Sequence, residues 1–230
     1  NGAIMVTTKS GSNVNNKGLG ITFSSNTAFD FINRWPDYQN EYGQGNVGGD
    51  LYYSYGATED GPSTFSTSSA WGPKFDGQFY YQYDPNFHRV APPERTLWRA
   101  YPNNRRDFFE TGKTFTNNLS IQGGNDKTRT RLSFTNMKNE WIVPNTGYNR
   151  TTIAFSVNHE ITPKLNISTK INYNNRQSDN LPTTGYNNQT IMYFIRGLVP
   201  NADINWFKPA WVPGQEGVLQ NRPFSNLLDN

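Results

Sequence analysis

Between Lys113 and Asn175 apolar and polar side chains alternate with a period of two, and this pattern limits the fold more than any other feature of the chain. Phe115, Leu119 and Ile121 alternate with Thr114, Thr116, Asn118, Ser120 and Gln122. Gly123-Gly124-Asn125-Asp126 then supplies turn chemistry, since glycine takes positive φ without penalty. A second strand sets Leu132 and Phe134 against Arg129, Arg131, Ser133 and Thr135. After a break at Asn145-Thr146-Gly147, a third sets Ile153, Phe155 and Val157 against Thr152, Ala154, Ser156 and Asn158. A short Ile161-Thr162-Pro163-Lys164 turn leads to a fourth, with Leu165, Ile167, Ile171 and Tyr173 opposite Asn166, Ser168, Lys170 and Asn172.

Strands of about 10 residues with one apolar and one strongly polar face fit two structures. One is a membrane-spanning antiparallel barrel. The other is a soluble antiparallel sandwich with one solvated face. Loop length favours the barrel. The turns at 123–126 and 161–164 are short and are expected on the periplasmic rim, whereas 137–148 and 177–190 read as long, extracellular loops. Composition points the same way. Only 34% of residues are hydrophobic and mean hydropathy is -0.79, yet 15% are aromatic. Disordered chains lack aromatics, while outer-membrane barrels combine aromatic girdles with a wet, polar lumen.

Upstream the signals are weaker. Leu19, Ile21 and Phe23 predict one further strand, Pro36–Tyr42 a short helix capped by Gly43, and Asn103–Thr111 a helical turn. Residues 44–106 read as loop with short strand pieces, and 188–198 as a helix within a loop. No apolar run reaches the roughly 20 residues of a membrane helix.

Several classes of function find no support. A net charge of +3 without a basic run gives no nucleic-acid arm. Cysteine is absent, which removes disulfides, thiolate metal sites and a thiol nucleophile. The two histidines, His88 and His159, stand far apart with no carboxylate at ligand spacing. No catalytic, cofactor or metal site is read, and the chain is expected not to be an enzyme. Gly43-x-Gly45-x-x-Gly48 matches a dinucleotide fingerprint but lacks the strand before it and the helix after it.

The candidate functional residues are Arg129, Arg131 and Lys170, on the polar faces of their strands, and Trp71 and Phe75 in Trp71-Gly72-Pro73-Lys74-Phe75-Asp76-Gly77. The basic residues, with Lys127, read either as a hydrated lumen wall or as a substrate clamp. The turn fixed by Gly72 and Pro73 presents two aromatics, which either stack on sugar rings or peptide groups or pack the loop down.

Several stretches resemble, in order, the SusC/RagA family of TonB-dependent outer-membrane transporters of Bacteroidetes. Asn1-Gly-Ala-Ile-Met-Val-Thr-Thr-Lys9 is similar to the end of that family's plug signature, and Trp71–Gly77 to an internal motif. Phe108-Phe-x-Thr-Gly112 and Thr116-Asn-Asn-Leu-Ser-Ile-x-Gly-Gly-Asn-Asp-Lys127 follow, then Arg131–Met137, Val143–Thr146 and Gln220–Ser225. The resemblance implies an all-β fold. Residues 1–11 would be the last strand of an α/β plug, 12–17 a linker, and 18–230 the first part of a transmembrane antiparallel barrel. A family barrel of about 22 strands needs about 220 residues in strands alone, so this sequence is expected to be part of a longer chain. The resemblance further implies import of oligosaccharides, glycans or peptides across the outer membrane. The implied partners are TonB, a SusD-like surface lipoprotein and outer-membrane lipid. Two rival readings stay open: a soluble glycan-binding sandwich, and a barrel serving as structural subunit of an export or surface-assembly complex.

Overall fold

The structure, a computed structural model, describes residues 19–45, 52–63, 69–87, 90–181, 190 and 195–221. The expected plug end at 1–11 and linker at 12–17 lie outside the described residues, as does Gly48. The chain divides into two compact units, one of residues 1–31 and 111–181, the other of residues 32–110 and 182–230.

The first unit is an antiparallel sheet of five long strands. These are β1 (Gly20–Asp30), β4 (Gly112–Gly124), β5 (Thr128–Glu140), β6 (Gly147–Thr162) and β7 (Leu165–Gln177), ordered β1-β4-β5-β6-β7. The register aligns the alternation across all five strands. One row carries Ile21, Ile121, Leu132, Phe155 and Ile171, and the next carries Phe23, Leu119, Phe134, Ile153 and Tyr173. Leu19, Val157, Ile167, Ile161 and Leu165 continue this face toward the short turns. The face is largely open, with Phe23 67% and Ile171 58% exposed, and the described part of the unit contains no second sheet to cover it. Farther along, the same face changes character at a polar row of Ser25, Asn117, Asn136, Thr151 and Asn175. Phe115 lies beyond that row, on the expected face but apart from the apolar rows.

Three local expectations need correction. Met137–Tyr148 is not a long loop, because β5 runs to Glu140 and β6 starts at Gly147, leaving only 141–146 between them. Pairing continues there on polar side chains, since the backbone ladder does not require the alternation that marks the rest of the strand. Trp141 N–H donates to Thr146 O at 3.1 Å, and Asn145 takes φ 57°. The turn after β4 is made by 125–127, not by its glycines. Asn125 Oδ1 accepts from the N–H groups of Lys127 and Thr128, while Gly123 and Gly124 lie inside β4. A β-carbon on Gly124 would come within 2.1 Å of Thr128 O, so close approach across the hairpin explains glycine there.

The third correction is in the second unit, where Pro36–Tyr42 is not helical. Gln39 Oε1 accepts from the N–H groups of Glu41 and Tyr42, and its Nε2 donates to Tyr42 O and Ala70 O. A side chain that bonds nearby backbone in this way competes with the helix. The expected turn at 103–111 is present, with Asp107 N–H donating to Asn103 O at 2.8 Å. Of the helix expected over 188–198, residues 195–197 are helical and 188, 189 and 191–194 lie outside the described residues.

This unit has little regular structure: a two-strand ladder of β2 (Phe79–Tyr80) and β3 (Thr96–Leu97), and single 3-10 turns at Pro85–Phe87 and Ile204–Trp206. Buried loop backbone needs hydrogen-bond partners, and side chains supply them. Asn104 Nδ2 donates to Val199 O and Ala202 O, and Asn201 Oδ1 accepts from Gln44 N–H at 2.8 Å. Asn221 Nδ2 donates to Trp206 O and Pro209 O. Arg105 donates to the carbonyls of Ile195 and Leu198 and stacks over Tyr38 at 4.0 Å. Leu198, Val199, Ala202, Ile204 and Phe207 form the apolar cluster these bonds enclose.

Candidate functional site

The five-stranded sheet turns Arg129, Arg131 and Lys170 to the face opposite the apolar rows, while Lys127 lies in the 125–127 turn. Arg131, Ser156 and Lys170 lie in one register row, beyond Gln122 and Gly20. Arg131 and Lys170 border a shared depression of about 210 Å³ with Ser133, Ser156 and Asn172. Arg129 lines a separate one of about 230 Å³, with Asp126, Lys127, Asn158, Glu160 and Asn166. The three candidates thus share a face, while two of them share a site.

The rest of this face is hydroxyl- and amide-rich, and those groups bond across strands. Asn118 Nδ2 donates to Thr135 Oγ1 at 2.7 Å, and Asn139 Nδ2 to Thr114 Oγ1 at 2.7 Å. A sheet face covered by such pairs stays wetted without an apolar partner.

Two further arginines that the alternation did not bring out stand on the same face. Arg150 and Arg176 are directly opposed across β6 and β7. Like charges in that position repel. Arg176 stacks on the Tyr148 ring at 4.0 Å, while Arg150 Nε is buried without a hydrogen-bond partner. Neither makes an ion pair among the described residues. Both lie on the terminal parts of their strands, where alternation fades and sequence reading stops at the last apolar residue.

In the second unit the Trp71–Gly77 segment is part of the packing. Gly43 N–H donates to Pro73 O, Gly72 N–H to Gly43 O, and Trp71 N–H to Gly45 O. Trp98, 1% exposed, donates from Nε1 to Pro73 O at 3.0 Å, and its ring meets Tyr52, Tyr80 and Phe75 at centroid distances of 4.5, 5.0 and 5.6 Å. Phe75 therefore packs the loop down. Trp71 is 54% exposed beside Tyr42, with centroids 6.0 Å apart, and remains a platform open to solvent. Gly43 and Gly45 of the dinucleotide-like string pair with this segment, and a β-carbon on Gly43 would meet the Trp98 ring, so the small size of Gly43 serves chain packing.

His159 sits at the turn end of the apolar face, with Nδ1 2.8 Å from Thr128 Oγ1. His88 lies outside the described residues. Among the described residues no group of His, Asp and Glu is arranged to hold a metal ion. The chain matches no protein-family model and no curated protein.

Proposed function

We propose that this chain is part of an outer-membrane β-barrel of the SusC/RagA-like, TonB-dependent kind, importing oligosaccharides, glycans or peptides without chemistry on the substrate. The observation that carries the proposal is the two-faced sheet. Its apolar rows are open across five strands, its other face is polar and basic, and both edge strands, β1 and β7, lack an outer neighbour among the described residues. In water such an apolar face exceeds what monomeric proteins usually expose, and long unpaired edges invite aggregation. In a bilayer both become workable: lipid covers the apolar rows, and closure with further strands removes the edges. The ordered motifs from Asn1 to Ser225 supply the transporter reading. Substrate would be captured beneath a SusD-like lipoprotein and admitted when TonB displaces the plug, with Arg129, Arg131, Lys170, Arg150 and Arg176 on the lumen wall.

The test is the full-length protein in its native membrane. It should require detergent for extraction and migrate faster on gels before boiling than after. A SusD-like lipoprotein should co-purify with it. Extraction in plain buffer would return the fold to a soluble sandwich, and co-purification with export subunits instead would overturn import.

A further inference from the structure

The second unit contains a cavity that neither the alternation nor the transporter reading uses. It measures about 320 Å³, within the usual range of about 300–1,000 Å³ for small-molecule sites. Its walls are Tyr83, Phe87, Tyr101 and Trp206, and Pro85, Pro92 and Pro93 stiffen its rim. Trp206 is held edge-on to Tyr83 and Tyr101, with centroid distances of 5.6 and 6.3 Å, and its carbonyl is fixed by Asn221. Tyr83 donates its hydroxyl proton to Asn221 Oδ1, and burial raises its pKa well above the ordinary phenol value, so it stays neutral.

The polar groups of this cavity are mainly acceptors. Gln82, 4% exposed, commits its Nε2 to Thr96 O, Thr96 Oγ1 and Leu97 O, which fixes the amide and leaves Oε1 without a donor among the described residues. Asp84 uses Oδ1 to accept from the Asn86 backbone and side chain, leaving Oδ2 without a donor among the described residues. Glu94 lines the cavity and makes no ion pair among the described residues. Among the described residues two arginines lie close by and neither is part of the lining: Arg99 is stacked over Tyr101 at 4.6 Å, and Arg95, between Glu94 and Thr96 in the chain, is paired with Glu59 and Asp60. Aromatic faces joined to two carboxylates and an outward amide oxygen complement a compact cation that carries N–H donors.

We propose that this cavity binds an organic cation of side-chain size, a protonated alkylamine. The ammonium sits between Glu94, Asp84 Oδ2 and Gln82 Oε1, and its alkyl chain lies against Trp206. The proposal does not depend on the membrane reading.

The test uses the intact full-length protein labelled with fluorotryptophan, with the Trp206 resonance assigned through Trp206→Phe. Butylammonium chloride should shift that resonance saturably at millimolar concentration and leave the other tryptophans in place. Glu94→Gln should raise the midpoint at least about threefold, as should high salt, because the attraction is between charges. Methyl glucoside, a neutral ring with many hydroxyls, should produce no saturable shift. No saturable response to butylammonium, an equal response to methyl glucoside, or an unchanged midpoint in Glu94→Gln would each overturn the proposal.

Discussion

A β-carbon built on Gly43 would lie 2.2 Å from the Trp98 ring, and Trp98 is the hub of the aromatic packing in its unit. The ring cannot retreat easily, because its Nε1 is tied to Pro73 O and Tyr52, Tyr80 and Phe75 surround it. Overpacking of this kind costs about 1–3 kcal/mol. Gly43→Ala should therefore lower the unfolding midpoint of this unit, and an unchanged thermal melt would contradict the packing described. Asp60 offers a second single-residue test. Hydrogen bonds from Arg95, at 2.7 and 3.0 Å, hold its carboxyl below the ordinary carboxylate value. The folded form thus binds the Asp60 proton more weakly than the unfolded form. The stabilisation is complete above the ordinary pKa of about 3.9 and is lost as pH falls through the lowered one. The Thr58 and Gly61 amides, which bond each other's carbonyls beside this pair, should be better protected from exchange, relative to their intrinsic rates, at neutral pH than well below about pH 4. Arg95→Ala should remove most of that difference.

Adjacent residues of β5 provide the corresponding test for a strand. Leu132 belongs to an apolar row and Ser133 to the polar face. In the proposed membrane setting Leu132→Arg puts a charge into lipid at a cost of about 2 kcal/mol, toward the low end of the midplane range because its row lies off-centre. Ser133→Arg costs little, as does Arg131→Ala. The fraction of folded, heat-modifiable protein should drop for the first variant alone, and equal losses for Leu132→Arg and Ser133→Arg would mean the two faces are not distinguished by lipid. The strands themselves were legible because each repeats a one-bit signal over many residues. Leu132, Phe134 and Arg131 point as the alternation predicts, and the extra strand at Leu19, Ile21 and Phe23 takes its place beside β4. Legibility failed where no period exists. Gln39 replaces a helix with four hydrogen bonds of one side chain, and residues 82–87 and 92–101 reach Trp206 across a sequence gap that carries no pattern. The Arg150–Arg176 pair was missed for a related reason, since register past the last apolar residue follows from backbone pairing alone.

For the molecule as a whole, the ends of the sheet should lie on opposite sides of the membrane in the proposed setting. The chain has no cysteine, so single substitutions give an unambiguous readout. Val143→Cys, in the 141–146 connection, should react with an impermeant thiol reagent on intact cells, and Asp126→Cys, in the 125–127 turn, should react only after the outer membrane is opened. The reverse pattern would invert the topology. The polar row of Ser25, Asn117, Asn136, Thr151 and Asn175 has a consequence for the bilayer as well. From Leu165 to Tyr173 the apolar stretch of β7 spans eight steps of roughly 3.3 Å. At a tilt of about 40° this gives a band roughly 20 Å tall. Hydrocarbon cores average about 30 Å, and each ångström of mismatch costs a fraction of a kcal/mol. In the proposed setting, lipid beside this arc would have to compress to meet it, so the segment would carry with it a collar of thinned bilayer and would rest at lowest strain in the thinnest membrane the cell maintains.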